Sequence, residues 1–146
     1  MTPAEKLALC RRSYAAFSDG LDIDALLPLY HRDCEWRMGS MGAAFGTEAV
    51  RGHDGLRAWV AAIDEGLEGF VVEIDEARIT SEGDLLLRGH SSARARMTHA
   101  MLSIPRYWQE IDFRDGLCLR VIHFDEPPSG WDDAAVLEMT AERERR

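Results

Sequence analysis

Only three cysteines, Cys10, Cys34 and Cys118, occur in 146 residues. They are widely spaced and odd in number, which excludes a disulfide framework and a CxxC redox or zinc pair. With no apolar run following the N-terminus, they point to a reduced, cytoplasmic protein. Basic residues are also scarce, with 17 Lys+Arg against 26 Asp+Glu and a net charge of −9. No basic stripe interrupts this acidity, so neither nucleic acid nor an anionic membrane surface is a fitting partner. The single basic cluster, the ERERR tail at 142–146, alternates in sign and reads as a solvated helix end. No segment approaches the roughly eighteen apolar residues of a membrane span, and there are no repeats or low-complexity tracts. The five histidines, His31, His53, His90, His99 and His123, form no HxxxH or HxxE pair on one helix face. No metal or cofactor is therefore expected.

What remains is one ordinary domain, 1–146, large enough to bury a core without covalent staples. Its most legible stretch is Tyr107 to Asp125, a β-hairpin folded about Asp115-Gly116. Asp-Gly between β-branched and aromatic runs suits a type I′ turn, in which both central residues need φ > 0. Regular pairing about that turn sets Phe113 opposite Cys118, Ile111 opposite Arg120, Gln109 opposite Ile122 and Tyr107 opposite Phe124 on one apolar face. The other face then carries Trp108, Glu110, Leu117, Leu119, Val121 and His123.

Thr2-Pro3-Ala4-Glu5 is a capping box with Pro at the first helical position, and Leu7, Cys10, Tyr14 and Phe17 follow at helical spacing up to Gly20. Asp22 caps a short second helix with Ile23, Leu26, Leu27 and Tyr30, weakened by Pro28. Cys34 to Met38 alternates as a strand. Gly39 to Gly52 reads as a long loop, and a third helix spans about Asp54 to Glu65 with Leu56, Trp59, Val60 and Ile63 as its buried stripe. Strand-like runs cover Phe70–Thr80, Leu85–Met97, Met101–Arg114 and Leu117–Asp125. Pro127-Pro128-Ser129-Gly130 breaks the chain before a terminal helix from Trp131 to Arg146. Helices first and a meander afterwards argue for an α+β fold with the helices on one face of a curved antiparallel sheet.

The segments SYAAFSDGLDIDALLPLYHRDCEW, VRGHDGLRAW and FRDGLCLRVIHFD, in this order and at this spacing, resemble the SnoaL-like and ketosteroid-isomerase-like proteins of the nuclear transport factor 2-like superfamily. The resemblance covers about Ala4 to Asp125, leaving 126–146 as a C-terminal extension. It implies a cone-shaped, cystatin-like α+β barrel, a curved sheet wrapped over three helices around an apolar pocket, and often a homodimer through the outer sheet face. In that superfamily the ketosteroid-isomerase general base falls at Met38, which cannot take a proton. The oxyanion-hole acid falls at Gln109, the helix-one tyrosine near Ser13 or Tyr14, and the inward carboxylate of cyclases and epoxide hydrolases at Ile122.

Two readings stay open. One is an isomerase, cyclase or hydrolase acting on an apolar polyketide-, steroid- or terpenoid-like molecule. Its catalytic groups are Tyr14 and Gln109, and its pocket is lined by Tyr14, Trp36, Met38, Trp59, Tyr107, Gln109, Ile122 and Phe124. The other is a non-catalytic binder whose pocket has no acid-base group. An ionisable pocket residue with a shifted pKa separates the two. Trp108, Leu117, Leu119 and Val121, taken together on the outer face, lead to the expectation of a homodimer there.

Overall fold

The computed structural model describes residues 1–39 and 49–139; most of the glycine-containing loop and the ERERR tail lie outside the described residues. Helix α1, Pro3–Ser18, begins as its capping box requires: Thr2 Oγ1 accepts from Glu5 N at 3.1 Å and Glu5 Oε1 accepts from Thr2 N at 2.8 Å. Helix α2 is only Ile23–Leu26, capped by Asp22 Oδ1 on Ala25 N at 3.1 Å. Pro28 sits in a separate 3₁₀ turn, Leu27–Leu29, where its missing N–H breaks no α-helical bond. Strand β1, Tyr30–Arg37, and short β2, Ala49–Arg51, precede helix α3, Gly52–Gly66. The buried residues of α3 are the four read from its periodicity, Leu56, Trp59, Val60 and Ile63. His53, near its start, bonds the Tyr30 carbonyl at 2.8 Å and is structural.

Four long strands follow: β3 Leu67–Ile79, β4 Leu85–Ala95, β5 Met101–Arg114 and β6 Leu117–Phe124, with a two-residue β7, Ala135–Val136. The seven-stranded order is β2-β1-β6-β5-β4-β3-β7, curved over α1 and α3 and unclosed. This is an α+β cone in which, against expectation, β1 runs parallel to β6, so the sheet is mixed. β1 enters from the 3₁₀ turn, with no hairpin to reverse it.

The hairpin supplies the most consequential correction. Asp115 (φ 53°) and Gly116 (φ 76°) form the expected turn, and Phe113 pairs with Cys118. Between Phe113 and Asp112 the register then shifts, because β6 carries one extra residue in a bulge. Beyond it Asp112 pairs with Arg120, Ile111 with Val121, Gln109 with His123 and Trp108 with Phe124. A one-residue slip exchanges the faces of everything downstream. Val121 and His123 are therefore inside, whereas Ile122, paired with Glu110, and Phe124 lie outside. A second irregularity near Pro105 is where β5 can omit a ladder donor.

The terminal segment is not a helix over its described part. Residues 126–134 cross the outer face of the sheet as a strap, anchored by Trp131, which packs with Ala134 on Leu86, Trp108 and Phe124, while Leu137 and Met139 pack against the main core. The Arg78 guanidinium lies 4.2 Å over the Trp131 ring and donates Nη1–H to its carbonyl at 2.7 Å. β7 then joins the edge of β3 at Arg78 and Ile79, and Leu137 N reaches Ala77 O at 2.8 Å. Pairing with the open β3 edge satisfies the backbone here in place of helical bonds. Trp108 is consequently buried within its own chain. Arg120 and Arg96 already hold Asp112 at 2.9 Å and Asp64 at 3.2 Å.

Candidate functional site

Inside the cone, a small stack of aromatic rings sets the back wall. Phe17 of α1 meets Trp36 of β1 and Trp59 of α3 edge-on, with centroids 5.8 and 5.7 Å apart, and the two indoles are 5.1 Å apart. Edge-to-face contacts at these separations are favoured by the ring quadrupoles. In front lies a cavity of about 50 Å³ lined by Tyr14, Phe17, Trp36, Met38, Trp59, Ile63, Phe70, Val72, Ser91, Tyr107, Gln109 and His123. None of these residues carries a fixed charge.

Three of its polar side chains form a connected array. Tyr107 donates its hydroxyl to Tyr14 Oη at 2.7 Å, and Tyr14 donates to Gln109 Oε1 at 2.8 Å. Burial, reinforced for Tyr14 by the neighbouring Tyr107 oxygen, pushes both phenols well up, so both remain neutral hydroxyls. With Oε1 held by Tyr14, the amide nitrogen of Gln109 is the end left to meet a ligand. The array depends on a glycine in β4: a Cβ on Gly89 would stand 2.5 Å from Glu73 O and 2.9 Å from the Tyr107 hydroxyl.

His123 completes the site. It is 6 % exposed, directly cross-strand from Gln109, and its ring stacks on Tyr107 with centroids 4.9 Å apart. Nε2 is buried without a hydrogen bond. Burial lowers the imidazole pKa below its ordinary value while Asp125, with Oδ1 4.0 Å from Nε2, opposes the shift. A neutral imidazole beside an amide donor in an apolar cavity can take a proton from a ligand while the amide steadies the charge that develops. Gly39, at φ +56°, backs this corner, since a Cβ there would lie 2.8 Å from His123 O.

The structure thus brings together Tyr14, Trp36, Met38, Trp59, Tyr107 and Gln109 of the sequence-derived set. Ile122 and Phe124 are corrected: the β6 bulge turns both to the outer face, and Phe124 packs near Trp131. His123 was missed for the same reason. Phe70, Val72 and Ser91 were legible only as alternate residues of long strands, a pattern that gives a face and no depth along the cone.

Residues 10–121 match the SnoaL-like domain. No curated protein matches the chain significantly. Among solved structures, an NTF2-like protein of unknown function from Burkholderia pseudomallei is similar at 19% identity and a TM-score of 0.70, covering 83% of this chain and 91% of its own. TerC, co-crystallised with polyporic acid, matches at 19% identity and a TM-score of 0.70, covering 96% of each chain. A protein from Jannaschia described as a SnoaL-like polyketide cyclase has 12% identity and a TM-score of 0.67, covering 88% of this chain and 98% of its own. At these identities the neighbours speak for the fold, while the domain match extends over most of the sequence: the chain belongs to the SnoaL-like family.

Proposed function

We propose that this SnoaL-like domain binds an apolar, oxygen-bearing small molecule in its cone and moves a proton on it, with His123 as the base and Gln109 polarising the oxygen. The observation that carries the reading is His123 itself, an ionisable group buried in the pocket wall beside the Gln109 amide. For a ketone, His123 removes the proton from the carbon beside the carbonyl. The C–H electron pair moves toward the oxygen, Gln109 N–H bonds that oxygen, and the imidazolium returns a proton to complete an isomerisation or exchange. Tyr14 bonds Gln109 and is itself bonded by Tyr107, and the pair holds the amide in place.

A polyketide-, steroid- or terpenoid-like molecule suits the aromatic walls, and TerC, a structural neighbour, was co-crystallised with a small molecule, polyporic acid. The 50 Å³ cavity takes only the reacting end of such a molecule, since sites enclosing a drug-sized ligand run to about 300 Å³ or more. Three buried free cysteines fit a reducing compartment. A homodimer on the outer sheet face would have to use what the strap leaves open, around Leu117, Leu119 and Ile122. Light scattering at micromolar concentration reads that directly.

The test is solvent-deuterium exchange at the α-carbon of small cyclic and aryl ketones, followed by NMR. Wild-type protein should catalyse exchange, and His123→Ala should lose about 10²-fold or more. The competing reading, a binder without chemistry, is favoured by Met38, a thioether in the cavity wall where a base could stand. It predicts a ligand retained in the native mass spectrum and no exchange.

A further inference from the structure

The imidazole of His123 has one nitrogen whose surroundings are incomplete. Nε2 is buried and unbonded, yet Asp125, two residues on along the same side of the chain, brings Oδ1 to 4.0 Å. A hydrogen bond needs about 2.9 Å, so a rotation moving the carboxylate by roughly 1 Å would close it. The side chain of Asp125 is 59% exposed while that of His123 is 4% exposed. The other described surroundings of the ring offer no competing charge. From β5 it meets the Tyr107 ring and Gln109, with the Tyr14 hydroxyl of α1 behind Tyr107 and Gly39 at the end of β1. Asp75 on β3 acts on the neighbouring Tyr107 phenol.

We infer that Asp125 is the positioning residue of His123: its carboxylate accepts a hydrogen bond from Nε2–H and leaves Nδ1 as the nitrogen that accepts a proton from a pocket ligand. This rests on the reading of His123 as the pocket base. In an imidazole the hydrogen bond made by one nitrogen fixes the role of the other. When Nδ1 takes up a proton the ring becomes an imidazolium, and Asp125 supplies the adjacent negative charge that the apolar cavity lacks. The opposing influences on the imidazole, burial lowering and Asp125 raising its pKa, agree with this placement.

The experiment uses full-length protein labelled with ¹⁵N-histidine, without ligand, in wild-type, Asp125→Asn and Asp125→Ala forms. Two-bond ¹H–¹⁵N correlations give the tautomer and imidazole pKa of His123. Wild type should show the neutral ring protonated at Nε2. Both variants should lower the pKa by roughly half a unit or more, and only Asp125→Ala should lose the tautomer preference, because Asn still accepts a hydrogen bond. The acidic limb of the ketone-exchange pH profile should move by the same amount. A wild-type ring protonated at Nδ1, or an unchanged pKa in both variants, overturns the inference, including when the variants lose only stability, as a purely structural Asp125 would require. Absence of ketone exchange with the tautomer and pKa results intact refutes the proton-transfer reading and leaves the pairing established.

Discussion

Tyr14→Phe is the substitution most informative about the pocket array. The phenol oxygen of Tyr14 accepts from Tyr107 at 2.7 Å and donates to Gln109 Oε1 at 2.8 Å, with all three residues buried. Removing it deletes two hydrogen bonds, each worth about 0.5–1.5 kcal/mol net, and leaves a buried acceptor and donor without partners. A loss of about 2–4 kcal/mol is expected, larger than Tyr→Phe at a solvated site because no water replaces the hydroxyl in an enclosed wall. At about 3 °C per kcal/mol for a chain of this size, Tm falls by roughly 6–12 °C in a calorimetric melt. Gln109→Leu should cost a similar amount. The double variant should cost less than the two singles combined by about 1 kcal/mol or more, because the shared bond is removed once. A Tyr14→Phe protein destabilised by less than about 0.5 kcal/mol, or strict additivity with Gln109→Leu, would refute a coupled array.

Further outcomes follow from other parts of the structure. The buried imidazole of His123 has a lowered pKa, so the unfolded chain binds its proton more readily; its contribution to stability is complete above the ordinary value of 6.5 and is lost as pH falls through the lowered native one. Denaturant midpoints measured across that window should slope upward with pH and flatten in His123→Phe. Trp131→Ala, which unpins the strap from Trp108 and Arg78, should cost about 3 kcal/mol or more in a urea titration and raise the scattering mass by baring Leu86, Trp108 and Phe124. Trp108→Glu should fail to fold stably, because the charge would be buried beneath Trp131. Gly89→Ala should displace Tyr107, with a crystal structure showing the Tyr107–Tyr14 bond lengthened or broken.

The helical half of the molecule was largely written in local signals. The Thr2–Glu5 capping box, the Asp22 cap and the Leu56–Ile63 stripe are each decided by residues within one or two turns, and each stands where the pattern puts it. The Asp115-Gly116 turn is equally local. The β6 bulge just beyond it has no Gly or Pro to announce it, and falls where the pairing of β6 with β1 also shifts register. That one residue decides whether His123 or Ile122 enters the cone, so the proposed base was invisible to a parity count. The strap was equally hidden: Trp131 to Val136 has the apolar content of a helix turn, and only the unfilled edge of β3 and the apolar outer face make an extended path preferable.

The central claim is that the β6 bulge places a neutral imidazole inside an apolar cone. The direct measurement is an NMR titration of the wild-type histidines, with His123 assigned by its loss in His123→Phe. His123 should titrate below 6.5 and its shift should change when a ketone is added, while His90, bonded to Asp75 at 2.8 Å on the partly exposed face, should titrate above 6.5 and ignore the ketone. A His123 that titrates at or above 6.5 and does not respond to the ketone would contradict the account.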